Sequence, residues 1–251
     1  MNNKESLERD AKSFNERVGN LNYVDCPICK NKGLVAKVVW SDLYNEWIEV
    51  MSECECKQQR NTIRKAHNSG LGNYLEKRFT DYETTEEWQK AVKEKAIDYC
   101  KNANNEWFII CGQSGAGKTL ICSIIANYLL MKKDKTVRYI TWTDFISKVK
   151  RDMMDDQTDV VSRYLEDVKH VEVLYIDELL KKYNETDLKY IIEIINYRYS
   201  NGLQTIITSE RDISNLLDID EATFGRVIER SGKYVTNIAQ DRAKNYRLRG
   251  I

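Results

Sequence analysis

Gly112-Gln113-Ser114-Gly115-Ala116-Gly117-Lys118-Thr119 is the stretch that decides the fold. It fits the pattern G-x-x-x-x-G-K-[ST] without a mismatch. The apolar run Trp107-Phe108-Ile109-Ile110-Cys111 precedes it, and Leu120, Ile121, Ile124, Ile125 and Leu129 follow at helical spacing from Lys118. A strand, a glycine-rich turn and a helix in this order form an anion cradle. The glycines let consecutive N–H groups converge on phosphate, and the helix N-terminus adds partial positive charge. Lys118 is expected to reach the β- and γ-phosphates of ATP, and Thr119 to place its hydroxyl on Mg²⁺.

Outward from this loop, apolar strands alternate with amphipathic helices. The strands are expected at Val137–Thr141, Val171–Ile176, Leu203–Thr208 and, more weakly, Lys233–Ile238. The clearest helix is Thr186–Ser200, where Leu188, Ile191, Ile192 and Ile195 follow one face, and Thr143–Lys169 has the pattern of two more. Such alternation predicts an α/β domain with a parallel sheet between helices. Val173-Leu174-Tyr175-Ile176 ends in two acids, Asp177 and Glu178. Paired carboxylates at the tip of a buried strand suit a site that holds a cation: Asp177 would bind Mg²⁺ through water, and Glu178 would act as general base on the attacking water.

The region before about residue 66 has a different character. Cys26-Pro27-Ile28-Cys29 and Cys54-Glu55-Cys56 are separated by 24 residues and flank two extended stretches, Gly33–Trp40 and Trp47–Ser52. Two close cysteine pairs match a Cys₄ zinc site, with Cys26, Cys29, Cys54 and Cys56 as ligands. Free thiols and a redox pair are the competing readings, and the extended stretches that follow Cys29 disfavour the second. A module of about 60 residues rarely holds a stable core without such a staple. Cys100, Cys111 and Cys122 fall on apolar faces, as core residues do. Lys57–Lys65 and the glycine-containing stretch from His67 to Gly72 have no apolar periodicity and are expected to be a linker. The division is therefore 1–66, a zinc-binding N-terminal module, and 67–251, a P-loop domain.

Composition narrows the possibilities. Lys plus Arg and Asp plus Glu each total 39, which excludes a polybasic nucleic-acid coat but permits local patches. Hydrophobic residues make up 42%, enough for a substantial core. No apolar run approaches membrane-spanning length, and Met1–Asp10 is charged, without a signal-peptide segment. Cytoplasmic residence without membrane association is the expectation, and it disfavours disulfides.

Taken together, these motifs resemble those of the AAA+ ATPases, specifically the DnaC/DnaI-type replicative helicase loaders of bacteria and phages, with the IstB transposition helpers as close relatives. The resemblance extends through Ser69-Gly70-Leu71, Phe79-Thr80-Asp81-Tyr82, Thr205-Ile206-Ile207-Thr208-Ser209, Gly225-Arg226-Val227-Ile228-Glu229-Arg230 and Asn245-Tyr246-Arg247. It implies an ATPase that assembles with itself and binds a replicative helicase, through the N-terminal module, and single-stranded DNA. By the same resemblance Arg230 would be an arginine finger acting on a neighbouring subunit, with Arg226 as competitor, and Arg247 would contact nucleotide within its own subunit. Residues 225–251 carry seven basic side chains against two acids, so a solvated basic face is the alternative. One position departs from the family, which usually continues Thr-Ser-Asn where this chain has Thr208-Ser209-Glu210. An ionised Glu only accepts hydrogen bonds, so either a hydroxyl of Thr208 or Ser209 orients the lytic water or hydrolysis is slow. Lys148, Lys150 and Arg151, with Tyr139, Trp142 and Phe145, are candidates for DNA contact, although most of these aromatics are expected in the core. An IstB-like regulator of a transposase and a non-enzymatic zinc adaptor are the other function classes.

Overall fold

A computed structural model describes residues 3–248, and the chain divides into two compact units, residues 1–65 and 66–251. The first unit contains helix α1 (Asn3–Glu16), the antiparallel hairpin β1 (Leu34–Ser41) and β2 (Glu46–Glu53), and the start of α2 (Cys56–Asn68). The expected extended stretches are this hairpin, with Trp40 opposite Trp47. Neither helix emerges from the sequence pattern. The supposed linker from Lys57 is helical as far as Asn68, because its buried positions are set by the cysteine cluster and not by an apolar stripe. The four cysteines, with Val24 and Val35 packed against them, form this unit's small core.

In the second unit, α3 (Glu87–Asn102) leads into β3 (Phe108–Gly112) and α4 (Lys118–Lys132). Then follow β4 (Val137–Thr141), α5 (Trp142–Met154), α6 (Thr158–His170), β5 (Val173–Asp177), α7 (Glu185–Ser200), β6 (Gln204–Thr208), α8 (Ile213–Ile219), α9 (Glu221–Ser231) and β7 (Val235–Ile238). All four pairings are parallel, in the order β4-β5-β6-β3-β7. The expected α/β sheet is thus present, with boundaries within two residues of those read from the sequence.

Alternation along β3 places Phe108 and Ile110 in one core layer, with Tyr99, Ile121, Ile125 and Ile206. Trp107, Ile109 and Cys111 enter the opposite layer, with Ile176, Ile191, Ile195 and Phe224. Cys100 and Cys111 are core residues, as expected, and burial pushes both thiols up to about 12. Because β6 lies between β3 and β5, the carboxyl ends of these strands meet at one edge of the sheet, where the chain order reverses. Open α/β sheets hold ligands in such a crevice.

Candidate functional site

At that edge is a cleft of about 370 Å³ lined by Ser114, Gly115, Gly117, Lys118, Thr119, Glu178, Thr208, Ser209, Glu210 and Arg247, with Tyr74 and Tyr82 among its walls. The loop between β3 and α4 adopts the conformation its glycines permit. Gly112 has φ +99°, and a Cβ there would come within 2.0 Å of the Ile238 carbonyl oxygen on β7. Gly115 has φ +72°, and its Cβ would strike the Asn245 side chain at 1.9 Å. Any larger residue at either position must displace a neighbour and adopt a left-handed backbone.

Lys118 is 7% exposed and donates to the carbonyl oxygens of Gly112 and Gln113, both at 2.8 Å. Burial lowers its pKa, and the nearby carboxylates of Glu210 and Asp177 partly offset this. The ammonium is held inside its own loop, next to where phosphates would lie. We expect Lys118→Ala to weaken ATP binding about tenfold or more, the loss of one charge-assisted hydrogen bond. A fluorescent-nucleotide titration measures it, and unchanged affinity would remove the loop from the site.

Asp177, at the tip of β5, is 4% exposed and surrounded by hydroxyls. Thr119 donates at 3.0 Å, Tyr175 at 3.0 Å and Tyr139 at 3.2 Å, and Thr208 adds a further bond. These partners set the orientation of the carboxylate. The pairing of Thr119 with Asp177 brings a hydroxyl and a carboxylate together, an oxygen-donor set that fits Mg²⁺. Tyr175 escaped the sequence reading, although it stands two residues before Asp177 and therefore on the same face of β5, and Tyr139 was read only as a candidate for DNA contact.

Glu178 follows in a left-handed conformation, φ +55°, with its N–H donated to Thr208 Oγ1 at 2.9 Å. Its carboxylate faces the cleft and pairs with Lys181 at 3.0 Å, and Lys181 also reaches Glu210 at 3.4 Å. Glu210 accepts from Ser114 Oγ at 2.8 Å. Burial opposes its ionisation, but the Ser114 hydroxyl and the Lys181 ammonium outweigh it, and its pKa lies below the ordinary value. The position where the family has Asn is therefore an anionic group tied to the phosphate loop.

Two sequence expectations change here. Ser209 lines the cleft, but its hydroxyl donates to the Leu179 carbonyl at 2.9 Å and accepts from Arg211 N–H, so its proton is committed to the fold and not to a water. Thr208 is likewise engaged by Asp177. Among the candidates for DNA stacking, Trp142 is fully buried, and the Tyr139 ring packs on Tyr74 and Tyr175 with its hydroxyl on Asp177. Phe145 packs against the core, and Lys150 pairs with buried Asp187 at 2.5 Å. These side chains serve packing and the cleft, not an open stacking platform.

The three arginines separate. Arg247 lines the cleft, where the Tyr246 N–H donates to the Gly115 carbonyl at 3.0 Å. Arg230 lies in another recess, lined by Asn104, Asn105, Glu106, Tyr199 and Glu229, with its guanidinium 5.9 Å from the Tyr199 ring. Arg226 contacts the same ring at 6.0 Å and donates to Asn196 Oδ1 at 2.6 Å. Arg226 is thus already hydrogen-bonded within its own subunit, whereas Arg230 Nε is buried without a partner among the described residues.

In the first unit, the Sγ atoms of Cys26, Cys29, Cys54 and Cys56 all lie within 4.8 Å of one another. Cys26 and Cys54 approach to 3.7 Å, and Cys29 and Cys56 to 3.5 Å. A tetrahedral zinc site with Zn–S bonds of about 2.3 Å has sulfur–sulfur edges of about 3.8 Å. The spacing suits four ligands of one ion and is far too long for disulfides.

The sequence profile of the IstB-like ATP binding proteins matches residues 36–225. The chain belongs to this family. A phage-like element protein, XkdC of Bacillus subtilis, is 26% identical over 245 residues, covering 90% of this chain and 87% of its own length. The replicative helicase loader DnaC of Buchnera aphidicola is 30% identical over 146 residues, covering 57% of this chain and 59% of its own. The crystal structure of the DnaC helicase loader shares the fold with a TM-score of 0.55 at 21% identity, covering 68% of this chain and 99% of that one. The α/β domain is therefore an AAA+ domain of the IstB/DnaC type. Among the described residues, no helix is long and apolar enough to cross a membrane.

Proposed function

We propose that this protein is a cytoplasmic, ATP-dependent loader that binds a replicative helicase and delivers it to single-stranded DNA. The observation that carries the reading is the cleft itself. A complete phosphate loop faces Asp177 and Glu178, with Arg247 on the same cavity, which supports binding of ATP with Mg²⁺ and its hydrolysis once a neighbouring subunit supplies a further arginine. Thr119 and Asp177 hold the ion, Lys118 neutralises the phosphates, Glu178 takes the proton of the attacking water, and Arg230 completes the site of a neighbouring subunit. Glu210 in place of Asn, and hydroxyls of Thr208 and Ser209 that are already committed, favour slow turnover, which suits a switch set by ATP binding. The four-cysteine unit, residues 1–66, is a zinc module that grips the helicase.

Co-purification with the host's replicative helicase, with and without ATP, tests the loader reading. The wild-type protein is expected to carry about one zinc ion per chain and to capture the helicase. Cys56→Ser is expected to abolish capture while ATP binding survives, because a structural zinc site organises the unit that contains it. Capture unchanged by Cys56→Ser would remove the N-terminal unit from the interaction. A second reading, which the resemblance to IstB transposition helpers implies, is an ATPase that regulates a transposase; membership of the IstB-like ATP binding proteins is compatible with it. Capture of a transposase encoded beside it, in place of a helicase, decides for that reading.

A further inference from the structure

Arg60 lies on α2, one helical turn after Cys56, and is 6% exposed. Its Nε–H points at Cys56 Sγ at 3.4 Å. Nη1 donates to the Leu21 carbonyl at 2.8 Å and also to that of Asn22. Nη2 donates to the Val24 carbonyl and to Asn31 Oδ1 at 2.7 Å. Among the described residues no carboxylate forms an ion pair with it. A buried guanidinium with only neutral partners is costly, and such groups occur where a negative charge balances them.

The nearest source of negative charge is the cysteine cluster. Four protonated thiols carry none, whereas four thiolates around one Zn²⁺ carry a net charge of −2. Arg60 also joins the two halves of the cluster. Asn31 Oδ1, which accepts from Arg60, accepts from the Cys26 N–H as well, at 2.9 Å. One side chain therefore touches the second cysteine pair directly and the first through a single amide. Cys56 and Arg60 stand at i and i+4, on one helical face, so the pairing is built into the start of α2.

We propose that Arg60 is part of the metal centre, a positioning residue that balances the charge of a zinc tetrathiolate and donates an N–H···S bond to Cys56. The inference rests on the zinc reading above. Groups behind the ligands commonly change metal affinity by about ten- to a hundredfold. Arg60→Lys keeps the charge near the sulfurs and is expected to hold zinc within about tenfold of wild type. Arg60→Gln keeps hydrogen-bonding capacity but removes the charge, and is expected to lose about a hundredfold.

Both variants are made in the full chain, and Zn²⁺ affinity is measured by competition with a chelating dye. With Co²⁺ in place of zinc, removal of the positive charge beside the sulfurs should move the thiolate-to-cobalt charge-transfer band of Arg60→Gln to lower energy. Equal losses in the two variants, or wild-type affinity with an unmoved band in Arg60→Gln, would overturn the proposal and leave Arg60 a latch for three carbonyls. If Arg60→Gln does not fold, Arg60→Lys decides. Zinc retained within tenfold supports the charge role, and a hundredfold loss overturns it. Wild-type protein that binds no zinc defeats the underlying zinc reading instead, so the two failures are distinct.

Discussion

Glu178→Gln should leave ATP affinity within a few-fold of wild type and lower turnover about a hundredfold or more, the usual contribution of a positioned general base. The carboxylate does not touch the phosphate loop, so binding has no reason to change. Its position depends on a left-handed backbone at φ +55°, held by the Thr208 hydroxyl, and on the ion pair with Lys181. Gln keeps the size and the conformation but cannot take a proton from water. Single-turnover hydrolysis under saturating ATP measures the chemical step. A parental rate would show that another group is the base, with Glu210, on the same lysine, the first candidate.

Arg230→Ala should lower assembly-stimulated hydrolysis about a thousandfold, the lower end of the range for arginine fingers, and leave nucleotide affinity within a few-fold. The side chain lines a recess separate from the cleft, so within one subunit it has no route to the γ-phosphate. Its effect requires a neighbour. Arg230→Ala subunits mixed with Lys118→Ala subunits should therefore recover part of the activity, because an intact cleft then meets an intact arginine. A mixture as inactive as its parents, with co-assembly verified by cross-linking, would place the finger elsewhere. Arg226 is the next choice, although its bond to Asn196 would first have to break.

The Asp177 environment shows why part of the cleft escapes a linear reading. Gly112 to Thr119 and Asp177-Glu178 are legible because each is a local pattern with a local physical cause, a backbone cradle and acids at a strand tip. Tyr139 reaches Asp177, and Thr208 and Glu210 reach the cleft, only because β4, β5, β6 and β3 stand side by side. The family resemblance alone marks Thr208 and Glu210, and nothing in the neighbourhood of Tyr139 ties it to Asp177. The choice between core and stacking surface has the same source. Trp142 and Tyr139 look like stacking residues beside basic side chains, yet the sheet places one in the core and the other on Asp177.

The N-terminal unit divides along the same line. The candidate ligands were legible from two cysteine pairs, since a thiolate metal site needs close pairs whatever the fold, and the four sulfurs do cluster. Arg60 was not, because in sequence it is one more cation in a charged helix. Only the approach of α2 to the Leu21–Val24 loop and to Asn31 turns it inward.

The sequence by itself determined the strands of the AAA+ domain, their α/β alternation, the phosphate loop, the two acids and the two cysteine pairs. Each depends on interactions within a few residues or on hydrophobic periodicity. Tertiary structure alone decided that Ser209 is committed to Leu179, that Glu210 is tied to Ser114 and Lys181, that Arg247 and Arg230 occupy different cavities, and that Arg60 stands behind the cysteines. These outcomes depend on which strands become neighbours, and strand order is settled by packing the whole core at once and not by any single segment.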